Sequence, residues 1–416
     1  MLGSFAEKRE KMAKKKKKKW TKFRHKFFRN VLFCLLSPIY RLKFGAKPIR
    51  FKNEGKRQYL ILYNHQTSVD MFFVGMCFKQ TIYYVATEDI FSLGFLSKII
   101  NYLVAPIPIK KQTNDAKAVL NCMRVAREGG SIALAPEGNR TYSGETVYFK
   151  ESIVGLARAL KLPIAIVKIE GGFGVQPRWS DKVRRGRMSA GVSRVIEPDE
   201  IADLSDSELY ELLKAELYVN ENNADARFKS KRCAEYIERA LYVCPKCGLS
   251  EFESQGNLFR CKKCGIAVEY GEDKRLRARE GQIPFEFIGD WYSYQCDYIN
   301  RFDPLSYTGE ALYTDRVKFS EEIPYKNKVL IDDSATISLY GDRIAIATKD
   351  GERIHSFDDI SVMTLLGRNK LCFYLGDKVF QVKGNEPGFN GLKYMNIYFR
   401  YKNLTTEVKD GKFLGI

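Results

Sequence analysis

Between residues 55 and 200, short apolar runs alternate with stretches of helical spacing, and this constrains the fold more than any other feature of the chain. Residues 59–63 read as a buried strand, with a helix following from about Ser68. Residues 104–109 read as extended, punctuated by Pro106 and Pro108. Asn114 is placed to cap a helix whose apolar face includes Ala118, Val119, Cys122, Met123 and Ala126, and Gly129-Gly130 ends it. Residues 131–135 read as a strand, 151–160 as a helix and 164–169 as a strand. The expected class is α/β, a sheet flanked by helices. Residues 203–242 read as helical and charged, broken at residues 220–225.

In an open α/β sheet, ligands bind outside the carboxyl ends of the strands. Two loops fall there. The first is Asn64-His65-Gln66-Thr67-Ser68-Val69-Asp70. The chain has three histidines, His25, His65 and His355, and only His65 sits between a buried strand and a helix. If Thr67 or Ser68 caps that helix, Asp70 lies in its first turn, where its carboxylate can hold one imidazole nitrogen and leave the other as a general base. The bland reading is equally concrete: Thr67-x-x-Asp70 is a capping-box spacing that suits the helix dipole without catalysis. The second loop, Pro136-Glu137-Gly138-Asn139-Arg140-Thr141, follows the strand at 131–135. Arg140 suits bidentate binding of a phosphate, Glu137 can hold Arg140 or a substrate hydroxyl, and Gly138 permits close backbone approach. By itself this loop is an ordinary turn with a salt bridge. If the two strands are parallel, both loops open on one edge. Lys110 or Lys111 offers a further cation.

His-x4-Asp, followed about seventy residues later by Glu-Gly-x-Arg, resembles the glycerolipid acyltransferase family, which includes lysophosphatidate and glycerol-3-phosphate acyltransferases. Four blocks are similar, in order: residues 64–70, 94–110, 136–140 and 162–166. Lys110 stands where the family usually places an arginine, Asn139 where threonine is usual and Ile166 where a second proline is common. The resemblance covers about residues 30–200. It implies a mixed sheet flanked by helices, with His65, oriented by Asp70, taking the proton of an acceptor hydroxyl. It further implies that Arg140 and Lys110, with Glu137 and Gly138 beside them, bind a phosphate-bearing acceptor such as lysophosphatidic acid. The co-substrate is then acyl-CoA, acyl-ACP (an acyl carrier protein thioester) or acyl phosphate. No Gly-x-Ser-x-Gly elbow suggests a covalent acyl-enzyme.

The net charge is +19, and residues 1–30 hold 13 Lys/Arg against Glu7 and Glu10, or +11 of it. The lysine run at 14–19 leads into Trp20, Phe23, Phe27 and Val31, with Lys22, Arg24, Lys26 and Arg29 between them. This reads as a basic amphipathic helix for an anionic membrane surface, and nucleic acid is not the expected partner. Residues 30–40 are too short to cross a bilayer, which needs about 20 apolar residues. The run lacks the features of a cleaved signal, so a peripheral or monotopic place on the cytoplasmic face of the membrane is expected.

Of ten cysteines, Cys244, Cys247, Cys261 and Cys264 form two CxxC knuckles, each followed by a glycine. Four thiolates at this spacing close a tetrahedral zinc site with no position left for water, hence a structural metal. A redox dithiol is the less fitting reading, and a docking surface for a carrier protein or nucleic acid is the functional alternative to a staple. The other six cysteines are scattered, as in a reducing compartment.

Residues 291–298 are aromatic-rich and suit a packed helix or a domain contact, with an interfacial membrane belt as the alternative. From 330 onward, period-two alternation and turns at Gly341-Asp342, Asp350-Gly351 and Gly376-Asp377 indicate antiparallel strands, with a closing helix at 392–401, as in a pleckstrin-homology (PH) or GRAM-like half-barrel. The expected division is a membrane anchor at 1–50, an acyltransferase-like domain at 51–240, a zinc ribbon at 241–270, a linker at 271–329 and a β-rich domain at 330–416. Two other classes fit less of the chain. A non-catalytic membrane adaptor leaves His65, Asp70, Glu137 and Arg140 without a role, and a zinc-ribbon nucleic-acid protein leaves residues 55–200 without one.

Overall fold

The computed structural model describes residues 19–87, 90–91, 94–109, 115–323 and 328–406. Lys110, Lys111, Asn114 and lysines 14–18 lie outside the described residues.

Seven short strands form the first sheet: β1 (Ala46–Pro48), β2 (Leu60–Tyr63), β3 (Ile82–Thr87), β4 (Ile107–Ile109), β5 (Ser131–Leu134), β6 (Ile164–Glu170) and β7 (Met188–Ile196). Their order is β1-β7-β6-β2-β5-β3-β4, parallel throughout except for the antiparallel β6–β7 pair, so the sheet is mixed. Period-two alternation sends successive side chains to opposite faces, and both faces are covered. Leu60, Leu62, Ile132, Ile164 and Ile166 join one apolar cluster, while Tyr59, Ile61, Tyr63, Ala133, Ala165 and Val167 join the other. Ile61 is fully buried, so Ile61→Ala costs about 2–5 kcal/mol.

Helix α1 (Phe23–Phe44) runs unbroken through Pro38, and Gly45 closes it in the left-handed region, which a glycine enters at little cost. Next come α2 (Asp70–Cys77), α3 (Phe95–Leu103), α4 (Ala116–Arg127), α5 (Ser152–Leu160), α6 (Gly172–Val175), α7 (Pro198–Asp203) and α8 (Asp206–Leu217). Asp115 caps α4, its carboxylate accepting from Ala118 N at 3.1 Å. The expected helical stretch at 203–242 shortens to α8, which starts on a Ser205/Glu208 capping box. Beyond residue 217 only a 3-10 turn at Ile237–Arg239 follows, and the apolar residues there, among them Cys233, Ala234, Ile237 and Leu241, are buried in the cluster that holds the knuckles.

The two knuckles lie on the paired β8 (Val243–Cys244) and β9 (Gly248–Leu249) and on a four-stranded antiparallel sheet. Its strands are β10 (Phe252–Gln255), β11 (Leu258–Cys261), β12 (Ala267–Tyr270) and β13 (Leu276–Ala278). Helix α9 (Ile288–Arg301) buries Trp291, whose indole N–H donates to Val243 O at 2.8 Å. The last sheet has seven antiparallel strands in the order β17-β16-β15-β14-β20-β19-β18. These are β14 (Tyr313–Glu322), β15 (Val329–Leu339), β16 (Arg343–Thr348), β17 (Gly351–Ser356), β18 (Val362–Leu366), β19 (Lys370–Leu375) and β20 (Lys378–Gly384). Consecutive strands β17 and β18 stand at opposite edges, so the sheet curls around the closing helix α10 (Gly391–Thr405). This sheet begins at Tyr313 rather than 330, because β14 alternates buried Val317 and Phe319 with outward Arg316 and Lys318, a pattern diluted by charge. One apolar cluster joins the knuckles, α9 and the curled sheet, and it also takes in Tyr142, Phe173 and Trp179.

Candidate active site

Strands β2 and β5 are adjacent and parallel, with Leu60 opposite Ile132 and Leu62 opposite Leu134, so the two predicted loops leave the same edge. Asn64 extends β2 toward β6 with its side chain: its amide donates to Ile169 O at 2.8 Å and its carbonyl accepts from Ile169 N at 2.7 Å. That clamp fixes where His65 begins.

His65 Nδ1 stands 2.8 Å from Asp70 Oδ2. The helix starts at Asp70 itself, and the buried carboxylate gathers further donors: Gln66 N at 2.7 Å, Thr67 N at 3.0 Å and Thr67 Oγ1 at 2.5 Å. Asp70 therefore both organises the helix start and holds the imidazole. As an acceptor-only group it fixes the proton on Nδ1 and leaves the Nε2 lone pair available. Burial pushes the His65 pKa below 6.5, while Asp70 pulls it up and Arg140 and Arg178 push it down. The ring is neutral at pH 7, and 27% of its side-chain surface stays open.

Glu137 does not pair with Arg140. Its Oε1 accepts from His65 N at 2.6 Å and its Oε2 from Val147 N at 2.6 Å, so it staples the His65 loop to the chain after its own. Burial pushes its carboxyl upward and the two N–H donors pull it down. Thr141 N adds a bond to His65 O at 3.1 Å. Gly138 has φ +64 with open space where a Cβ would stand, so the turn conformation, rather than close approach, requires glycine there.

Arg140 is buried, and among the described residues its Nη1 has no hydrogen-bond partner. Burial and the charges of Arg178 and Arg368 weaken its hold on its proton, toward about 9, leaving it cationic at neutral pH. Arg178, which the sequence reading passed over, follows β6, the other parallel neighbour of β2. It donates to Arg140 O at 2.8 Å and Asn139 Oδ1 at 3.1 Å. Its position in a loop past a parallel strand was the signal that could have found it. Strand β4 ends at Ile109, and Lys110 lies outside the described residues.

His65, Glu137, Gly138, Arg140 and Arg178 line one cavity of about 950 Å³, at the large end for small-molecule sites. The rest of its wall is largely apolar, including Leu32, Phe33, Leu103, Cys122 and Ile153.

Residues 46–170 match the family model described as Acyltransferase. They form an acyltransferase-family domain. A curated relative of this stretch is the chloroplastic 1-acyl-sn-glycerol-3-phosphate acyltransferase BAT2 of Brassica napus, 22% identical over 135 residues. That match takes in 32% of this chain and spans 38% of the relative's length. The crystal structure of the 1-acyl-sn-glycerophosphate (LPA) acyltransferase PlsC from Thermotoga maritima aligns at 18% identity with a TM-score of 0.36, covering 46% of this chain and 74% of that one.

The surface beside the acyltransferase domain is apolar. On α1, Phe23, Phe27, Val31, Leu35, Ile39 and Leu42 recur at three or four residues along one exposed face, with Phe23 84% and Leu42 86% exposed. Phe95, Leu96, Ile99 and Tyr102 of α3 are exposed as well. Arg24 joins the two helices, donating to Tyr102 O at 3.1 Å and lying 3.9 Å over its ring. Two expected members of the outward face turn inward. Trp20 donates to Ala105 O at 3.0 Å, and Arg29 donates to the carbonyls of Gly75 and Phe78 at the end of α2. Among the described residues, no helix is long and apolar enough to cross a membrane.

The Sγ atoms of Cys244, Cys247, Cys261 and Cys264 all lie within 4.8 Å of one another. Cys244 and Cys264 are 3.6 Å apart, and Cys247 and Cys261 3.5 Å. Ligands of a tetrahedral zinc with bonds of about 2.3 Å stand roughly 3.8 Å apart, so the four thiols fit such an ion. Ser250 Oγ lies 3.0 Å from Cys261 Sγ, a partner suited to a thiolate.

Proposed function

We propose that the chain moves a fatty acyl group from an activated donor, an acyl thioester or acyl phosphate, to a hydroxyl of a lysophospholipid such as lysophosphatidic acid, with His65 as general base. The observation that carries this reading is the 2.8 Å contact of His65 Nδ1 with the buried Asp70 carboxylate, in a cavity shared with Arg140, whose Nη1 has no partner among the described residues. The Brassica napus relative is named for that acceptor.

Arg140 holds the acceptor phosphate, Arg178 and Glu137 position the two loops, and the hydroxyl meets His65 Nε2. As the hydroxyl oxygen attacks the donor carbonyl, its proton passes to Nε2, and the Asp70 charge stabilises the imidazolium. Collapse of the tetrahedral intermediate breaks the C–S or C–O(P) bond, and the imidazolium returns the proton to the leaving thiolate or phosphate. Direct transfer needs no covalent acyl-enzyme. The apolar part of the cavity takes acyl chain, and the exposed faces of α1 and α3 rest on a membrane surface that supplies both lipids. A zinc ion held by Cys244, Cys247, Cys261 and Cys264 supplies a structural cross-link and takes no part in the transfer.

The test is a screen of the purified chain with acyl-CoA, acyl carrier protein and acyl phosphate donors against lysophosphatidic acid, read by mass spectrometry. Formation of phosphatidic acid from any donor is expected. Its absence with every donor contradicts the reading and moves weight to a non-catalytic adaptor.

A further inference from the structure

The acceptor end of the cavity is not built by residues 46–170 alone. Leu366, the last residue of β18, and Gly367, in the turn joining β18 to β19, also line it. Arg178 is the joint: its Nη groups donate to the Arg140 loop, and its Nε donates to Gly367 O at 3.3 Å. Its guanidinium lies 4.3 Å over the Tyr142 ring, which stacks on Tyr292 of α9. The next residue of the turn, Arg368, reaches Asp181 at 3.3 Å, and Arg239 shares the same carboxylate at 2.7 Å.

The charge balance there is uneven. Arg140, Arg178, Arg239 and Arg368 converge, while among the described residues the ion pairs offer them Asp181 alone, with the Asp70 charge acting on Arg140 without a direct pair. Arg140 and Arg178 are both more than nine-tenths buried, and Arg140 keeps an unpartnered Nη1. Like charges gathered in a water-poor wall repel one another, and an anion placed among them relieves that repulsion.

We propose that the β18–β19 turn of the C-terminal sheet is a wall of the acceptor site, and that Arg178 and Arg368 are specificity residues favouring acceptors with a phosphate monoester over uncharged ones. The proposal rests on the acyl-transfer reading, adding to the acyltransferase domain a recognition element some two hundred residues downstream. Arg178 acts as contact and positioning residue together, and Arg368 acts through its charge.

The experiment compares kcat/KM for lysophosphatidic acid with that for monoacylglycerol in mixed micelles, using the full-length chain. In Arg178→Ala and Arg178→Lys the ratio should fall at least about tenfold, because a charge-assisted or bidentate contact is lost. In Arg368→Ala, a part-exposed turn position whose loss leaves Asp181 paired with Arg239, it should fall about threefold to tenfold. A purely structural role lowers both acceptors together, and an unchanged ratio in Arg368→Ala overturns the proposal even if the Arg178 variants fail to fold. A wild-type chain that transfers to neither acceptor contradicts the proposed function instead. Calorimetric binding of glycerol 3-phosphate then decides the wall separately: weaker binding in Arg368→Ala supports it, and equal binding, or none to either protein, overturns it.

Discussion

Replacing Asp70 by Asn separates the two roles that its position allows. The carboxylate accepts from His65 Nδ1, Gln66 N, Thr67 N and Thr67 Oγ1 in a site 1% exposed. An asparagine keeps the bonds to His65 and Gln66 if its oxygen takes the Oδ2 place, while its amide donates to the Thr67 hydroxyl, whose own donated bond is lost, and Thr67 N keeps only its contact with the Oδ2 place. The fold then survives with weaker bonds, and the imidazole keeps its tautomer. What disappears is the charge that stabilises the imidazolium as the proton moves. A hydrogen bond to a charged group contributes about 1.5–3 kcal/mol, so kcat/KM falls about 10- to 150-fold. The pH profile carries a second signature. Asp70 raises the His65 pKa against burial, so its neutralisation lowers that pKa further. A base works only when deprotonated, so activity is lost as pH falls through this pKa, and in Asp70→Asn the acid limb moves to lower pH. The assay is a pH series of acyl transfer beside a urea melt. If Asp70 only starts the helix, the melt shifts while the plateau rate stays within about twofold and the acid limb does not move. That outcome would refute the reasoning.

Phe27→Glu with Leu35→Glu should weaken binding to anionic vesicles about a hundredfold, from about 1.5 kcal/mol of apolar burial lost at each position, with an unchanged melting temperature because both side chains are exposed. Metal analysis should find one zinc per chain, and chelation or Cys261→Ser should lower the melting temperature by loosening the core shared with the curled sheet. His25 is buried against Tyr83 at 3.2 Å and its pKa is pushed down from 6.5 to about 4, chiefly by burial. The unfolded chain takes up the proton first, so stability is full above pH 6.5 and falls by at most about 3 kcal/mol as pH drops to 4. Urea midpoints across that window should flatten in His25→Phe.

Much of the first sheet was legible because its strands are short apolar runs bounded by glycine and polar loops, and because alternation buries them on both faces. Adjacency was not legible. That β2 lies between β5 and β6, which brings His65, Arg140 and Arg178 to one rim, depends on long-range pairing that a local pattern does not encode. The His65 and Arg140 loops stood out through residue type and spacing, whereas Arg178 looked like one arginine among many. By residue type Glu137 suits either Arg140, because opposite charges three apart invite a salt bridge, or a substrate hydroxyl. The backbone N–H groups of His65 and Val147 hold it instead, and such donors leave no trace in side-chain identity. The basic stripe was visible at the N-terminus, but Trp20 and Arg29 turned inward because neighbouring carbonyls needed donors, a demand set by packing. Strand β14 escaped notice for a related reason: its outward face is charged, and only its partners reveal the inward one.

The central claim is that one neutral imidazole, held by one buried carboxylate, takes the acceptor's proton. The most direct measurement is the single-turnover rate of acyl transfer to lysophosphatidic acid for the wild-type chain and His65→Ala at matched fold, verified by circular dichroism. The account predicts a fall of at least about 10²–10⁴-fold with acceptor binding retained, the contribution expected of a positioned general base. Transfer at the wild-type rate by a folded His65→Ala chain would contradict it.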